Sequence, residues 1–330
     1  MARSLVGDVD PLWLAGLLYA GSGIGLSIVL LLRTGGFFGG NRRVAPIARP
    51  DVPWLAATIA AGGIIAPALF TFGLARTSGA AASLLLNLET VLTVTIAWFV
   101  FREHRSARTV AGMALIVAAA VILGGASGGD SRVGVGALLI SAACLAWALD
   151  NNLTRKIAGN DAMLITAAKG LVGGAVNLGL AAALAGTAPP LGAAFAAGII
   201  GFFGYGISLA LFVVVLRTLG VARTSAYYGL APFVGVAVAF LLLGERPGLA
   251  FWMALPLMGV GVWLHLTERH AHAHVHDRLA HAHPHRHDLH HQHAHAFDWD
   301  GTEPHTHVHE HAPLTHLHPH TPDLHHRHEH

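Results

Sequence analysis

The chain has 330 residues, of which 54% are hydrophobic and only 12% charged, with a formal net charge of +2 and a mean hydropathy of +0.56. Soluble domains carry charge on about a quarter of their residues, so this composition excludes an ordinary water-soluble globule and makes the bilayer the expected solvent. A second regime sits at the C-terminal end, where residues 270–330 hold 23 of the 25 histidines and almost none of the apolar runs.

Residues 1–11 lack the series of basic region, short apolar core and cleavage site that marks a signal peptide, so the first apolar run is expected to stay in the mature protein. A membrane-crossing helix needs roughly 20 mainly apolar residues. Cutting at charged and Pro/Gly-rich breaks gives nine such segments: Leu12 to Leu32, Pro53 to Ala75, Gly79 to Phe101, Ala107 to Gly125, Val133 to Leu149, Ala162 to Ala185, Leu191 to Leu216, Val221 to Leu243 and Leu249 to Leu266. The fold class is therefore an all-α polytopic membrane protein. The single cysteine, Cys144, lies inside one of these segments, so neither an intrachain disulfide nor a cysteine-rich metal site is available.

Basic residues are retained on the cytoplasmic side of short loops. One alternate set of loops carries Arg33, Arg42, Arg43 and Arg49, then Arg102, Arg105 and Arg108, then Arg155 and Lys156, then Arg217 and Arg223; the other carries only Arg76, Arg132 and Arg246. The first set is read as cytoplasmic. Nine crossings then place the N-terminus outside and the histidine-rich tail inside, with the inner (plasma) membrane as the expected location.

The chain repeats itself at an offset of 142 residues, with Ala80, Ser83 and Glu103 matched by Ala222, Ser225 and Glu245. Glu103 falls in a cytoplasmic loop and Glu245 in an external one, so the two copies face opposite ways, as inverted-topology transporter repeats do. The stretch from Leu74 through Ser83, Asn87, Glu89 and Thr90 to Phe101-Arg102-Glu103, with its partner from Thr224 through Tyr227, Tyr228 and Pro232 to Gly244-Glu245, resembles the signature of the EamA-like family of the drug/metabolite transporter superfamily. Thr90 and Arg102 depart from the usual proline and glycine. The resemblance covers roughly residues 3–266 and implies transport, with export as the expected direction, by two five-helix repeats. Here the first repeat, residues 1–125, holds four segments and the second, residues 133–266, holds five. Matching Asp10-Pro11 with Asp161-Ala162 makes the counterpart of the Val133 to Leu149 segment the one that is absent.

Ionisable residues inside a span are costly and are functional candidates by default. Two stand deep in these segments. Glu89 shares an arc of about 160 degrees with Ser83, Asn87, Thr90 and Thr93, and Lys169 shares one of about 100 degrees with Thr166, Gly170, Gly173 and Asn177, at the helical period. The functional reading has Glu89 and Lys169 lining a central cavity, one from each repeat, and binding a polar substrate or a coupling proton, with Asn87, Thr90, Asn177, Tyr227 and Tyr228 beside them. The bland reading is an internal ion pair or a lysine whose stem lies along lipid. Asp150-Asn151-Asn152 and Arg155-Lys156 follow the fifth segment at the cytoplasmic side and read as topological determinants, with a place at the mouth of the cavity as the alternative, and Trp147 reads as packing. Gly21-x-x-x-Gly25 and Gly170-x-x-x-Gly174 read as close helix contacts. No phosphate loop, triad or acid/base pair stands out, so no enzymatic activity is expected, and transport is expected to require no cofactor.

The tail, residues 267–330, presents His270, His272, His274 and His276, then His281, His283, His285 and His287, then His290, His291, His293 and His295; a second block has His305, His307, His309 and His311, then His316, His318 and His320, then His325, His326, His328 and His330. Spacing of i, i+2 does not suit a helix face, and Pro284, Pro304, Pro313, Pro319 and Pro322 favour a disordered segment. Imidazoles from a flexible chain can converge on Zn, Ni, Co or Cu. The expected partners are thus the lipid bilayer, a small-molecule substrate and transition-metal ions. A second copy of the chain is left open, and no nucleic acid is expected. Two alternatives stand beside a metabolite transporter with a metal-binding tail: a transition-metal transporter, and a metal-sequestering membrane protein with a degenerate transporter domain.

Overall fold

A computed structural model describes residues 9–34, 47–101, 106–125, 131–185, 187–267, 271–276, 279–285, 305–311 and 314–319. Among the described residues of the membrane region every regular element is helical, and nine helices are long and apolar enough to cross a bilayer. In chain order the α-helices are α1 (Pro11–Thr34), α2 (Val52–Thr58), α3 (Ala66–Leu74), α4 (Gly79–Leu85), α5 (Asn87–Phe101), α6 (Ala107–Gly125), α7 (Ser131–Ile157), α8 (Ala162–Leu184), α9 (Leu191–Gly201), α10 (Ser208–Tyr228), α11 (Ala231–Leu243) and α12 (Leu249–Leu266). A π-helical segment, Ile59–Ile65, joins α2 to α3, and a second, Phe202–Ile207, joins α9 to α10.

Helix starts follow local chemistry. Asp10 accepts the Leu12 N–H at 2.9 Å, and its match Asp161 accepts those of Met163 and Leu164 at 2.9 and 3.1 Å. Each carboxylate thereby satisfies amides that have no partner within the helix. Ser78 does the same for α4 through the Ala81 N–H.

Lipid tails are as apolar as leucine, so helices in a bilayer associate through close packing at small residues rather than by escape from solvent. The crossing of α1 and α8 shows this. A Cβ on Gly170 would run into the backbone of Gly23, one on Gly174 into Ala20, and one on Gly23 into Leu171. On the other side of α1, Gly21 abuts the Gly198 backbone and Gly25 the Phe202 ring. Both glycine pairs read from the sequence are therefore close helix contacts. A larger core forms where α3 to α7 meet α11 and α12, with Leu84, Leu85, Ile116, Ile140 and Met258 all below 2% exposed.

The two repeats break their helices in the same places. Residues matched at the 142-residue offset carry the two π segments, with Gly62 matching Gly204. The signature helix of the first repeat is interrupted at Leu86, between α4 and α5, and that of the second at Gly229–Leu230, between α10 and α11. The second break precedes Pro232, which has no N–H to continue the ladder; the first occurs without a proline.

Helix α7 opens the second repeat, and among the described residues the first repeat has no helix matching it. It packs on α3 and α5 and covers them. The matched surface of the second repeat is bare: Leu211 and Val234 are 59% and 65% exposed, whereas their counterparts Leu69 and Leu92 are partly buried against the core.

In the tail, which the sequence alone reads as disordered, four segments are paired as strands: β1 (Ala271–His276) antiparallel with β4 (Leu314–Pro319), and β2 (Leu279–His285) with β3 (His305–His311). The i, i+2 spacing that fails a helix is the period of a strand. A lone two-stranded ladder is marginal in water. His270, His287, His320, His325, His326, His328 and His330 lie outside the described residues, as do Glu103, Arg42 and Arg43.

Candidate functional site

The polar residues of the membrane region gather around one place. Helix α7 runs on to Ile157, so Asp150, Asn151 and Asn152 are not in a cytoplasmic loop, as the sequence suggests, but inside the helix and 3–6% exposed. The break after Leu149 disappears because the cost of burying a carboxylate is met by an opposite charge. Lys169 Nζ, on α8, lies 2.6 Å from each carboxylate oxygen of Asp150, and Thr154 donates to Asp150 Oδ1 at 3.0 Å. Gly62, in the first π segment, leaves the room that the Asp150 carboxylate fills.

One residue along α7, Asn151 Nδ2 donates to Glu89 Oε1 at 2.8 Å, and Asn152 Nδ2 donates to the Thr93 carbonyl at 3.1 Å. Glu89 sits in the first turn of α5, just past the break at Leu86. Tyr19 packs on Tyr205 with ring centroids 5.1 Å apart and planes tilted by 46°, and its hydroxyl is 3.4 Å from Trp147 Nε1.

The two broken helices cross beside this group. Thr90 Oγ1 donates to the Ser225 carbonyl at 3.1 Å, and a Cβ on Gly229 would lie 3.3 Å from Thr90 Oγ1 and 3.5 Å from Asn87 Oδ1. Asn87 Oδ1 and Ser225 Oγ are buried and have no hydrogen-bond partner among the described residues. Breaks in the middle of a membrane span are tolerated where they are buried in protein or line a cavity, and in transporters they mark the binding region.

The structure thus brings together Glu89, Lys169, Asn87, Thr90 and Tyr228, the last paired with Ser208 through their hydroxyls at 3.3 Å. Asn177 is fully buried two turns further along α8, bonded to the Gly63 carbonyl at 3.1 Å. Tyr227 is 52% exposed and stands outside the network. Lys169 does not offer a free ammonium, because Asp150 takes it. Sequence reasoning gave Asp150 and Asn151 at most a place at the cavity mouth, and missed Tyr19. The signal was present in an acid and an amide ending an apolar run, with a buried lysine on the following helix. A cavity of about 670 Å³ lies away from these charges, between Phe70 and Ser83 of the first repeat and Phe203, Gly204, Val234 and Gly235 of the second, and its lining is almost wholly apolar. Among the described residues no three His, Cys, Asp or Glu side chains converge as a metal site.

Inverted helical repeats, paired helix breaks and a charged centre define a multi-pass membrane protein built as a secondary transporter is built. Residues 1–125 and 134–267 each match the EamA-like transporter family, and the chain belongs to that family. It is similar to an uncharacterized transporter of Methanothermobacter thermautotrophicus, 32% identical over 209 residues that make up 61% of this chain and 60% of the relative. The chain thus spans about 60% of the length of that relative. A solved structure described only as the crystal structure of a protein superposes with a TM-score of 0.61 at 21% identity, covering 80% of this chain and 89% of the other, a likeness of fold.

Proposed function

We propose that the protein is a secondary transporter of a small polar metabolite, working as an exporter in the inner membrane, with Glu89 as the group that binds cargo or a coupling proton. The observation that carries this reading is the placement of Glu89 beside the break between α4 and α5, next to the buried Asp150–Lys169 pair. A carboxyl whose hydrogen-bond partner is a neutral amide can exchange a proton or a ligand group, whereas one tied to an ammonium cannot do so cheaply. Purified protein in liposomes loaded with a pH dye, challenged with pools of polar metabolites, should show substrate-driven proton movement that Glu89→Gln abolishes. If the substituted protein moves protons as the parent does, Glu89 carries no transport role.

The tail is assigned to the cytoplasm and to transition-metal binding, as buffer or sensor, with Zn, Ni, Co or Cu taken by neutral imidazoles. Support comes from the strand register, which sets His272 opposite His318, His274 opposite His316, His281 opposite His309, His283 opposite His307 and His285 opposite His305. The same register favours the second reading, a transition-metal transporter that gathers cargo at the tail. A reporter fused after His330 should read cytoplasmic; an external signal would overturn the orientation.

A further inference from the structure

The two π segments occupy matched positions but are held differently. In the first, Tyr19 donates to the Gly62 carbonyl at 2.5 Å, and Asn177 Nδ2 donates to the carbonyls of Gly63 and Ile64 at 3.1 and 3.4 Å. Widening an α-helix into π geometry disturbs its ladder of backbone bonds, and these side chains supply donors at that point. Pairing Asp10 with Asp161 puts Gly170 at the place of Tyr19 and Leu26 at the place of Asn177. Neither can donate a side-chain hydrogen bond. The equivalence is structural as well, because Leu26 Cγ lies 3.5 Å from where a Cβ on Gly206 would stand, and Gly206 matches Ile64. Ser22 Oγ is 3.3 Å from the same point, yet among the described residues no side chain donates to a carbonyl of Phe202–Ile207. The second segment is also the one that borders the apolar cavity, through Phe203 and Gly204.

We propose that Tyr19 and Asn177 are positioning residues that hold the first π segment fixed against the Asp150–Lys169 centre, while Phe202–Ile207 is the segment that opens and closes when cargo is moved. This rests on the transport reading. Alternating access needs part of the helical bundle to move against the rest, and a segment with fewer bonds to break opens more readily. The Asp150 carboxylate of the charged centre fills the space at Gly62, so that centre packs against the segment that stays fixed.

Hydrogen exchange on the full chain in lipid nanodiscs tests the proposal without a known substrate. Amides of 202–207 should exchange faster than those of 59–65. Leu26→Asn, which puts an amide donor at the matched position, should slow exchange in 202–207 by about fivefold, the factor one added hydrogen bond sets. Tyr19→Phe, which removes one oxygen, should speed exchange in 59–65 by a similar factor, and Asn177→Leu should do so more strongly. Single thiols at Ala61 and at its match Phe203, in a Cys144→Ala background, give a second readout in proteoliposomes. A pH difference across the membrane should change maleimide labelling at 203 and leave labelling at 61 unchanged. Unaltered exchange at 202–207 in Leu26→Asn, or labelling that changes at 61 and not at 203, would overturn the assignment. A fixed second segment beside proton movement that depends on Glu89 would sink this proposal and leave the transport reading standing.

Discussion

Lys169 and Asp150 form a closed ion pair on neighbouring helices, 2.6 Å apart at both carboxylate oxygens, with side chains only 6% and 4% exposed. Taking two charges out of water costs several kcal/mol per ion, and the pair holds because each charge satisfies the other. Removing one partner strands the other. Lys169→Met and Asp150→Leu should each destabilise the protein by about 3–5 kcal/mol, read as a large fall in detergent-solubilised melting temperature. The double substitution should recover most of that loss. A single variant that melts with the parent would mean that water reaches the pair.

Glu89 behaves differently because its partner is neutral. Glu89→Gln keeps an oxygen that accepts from Asn151 Nδ2, so the variant should fold and melt within about 1 kcal/mol of the parent. It has no proton to exchange near neutral pH, and the expected outcome is transport whose rate no longer depends on pH between 5 and 8. Retention of the parental pH profile would make Glu89 a structural residue.

The nine spans, the inverted repeat and the position of Glu89 and Lys169 inside spans were legible in the sequence because hydropathy and helical period act locally. What was hidden depends on partners distant along the chain. Asp150 looked like the start of a loop because a lone acid ends a membrane segment, and only the approach of Lys169 from α8 lets α7 continue. The π segments had no visible mark, since Ile59–Ile65 and Phe202–Ile207 read as ordinary apolar helix. Their donors Tyr19 and Asn177 lie on other helices. Tyr227 and Tyr228 are adjacent in sequence, and the 100 degrees between successive helical residues puts one outside the network and the other within it.

Glu245 was noted only as a repeat marker, yet its two carboxylate oxygens accept the N–H groups of Gly79 and Ala80, each at 2.8 Å. An acid of the second repeat thus caps a helix of the first, where the helix dipole favours negative charge. Glu245→Ala should destabilise by about 1–2 kcal/mol, and Glu245→Gln, which keeps one acceptor, by less. Thermal melts of the three proteins in one detergent check the order. Equal melting temperatures would show that water replaces the cap at no cost.

The tail supplies the last test, resting on the contrast between 23 histidines in residues 270–330 and His104 and His265 as the two elsewhere. A tail that buffers or senses metal is dispensable for translocation, because the helices of the membrane region satisfy their own backbone groups. A chain ended after Glu268 should therefore fold, stay in the membrane and carry out the same proton-coupled movement as the full protein. It should lose high-capacity Zn or Ni binding. The pH dependence has a definite sign: coordination needs neutral imidazole, the unperturbed histidine pKa is about 6.5, and metal competes with protons for the same nitrogens. The full chain should bind several ions at pH 7.5 and release most of them by pH 5, whereas the shortened chain should bind few at either pH. Calorimetric stoichiometry beside vesicle transport, on both chains, makes the comparison. Tight binding of several ions by the shortened chain would place the ligands in the membrane region and replace the metabolite reading with the metal-transport one.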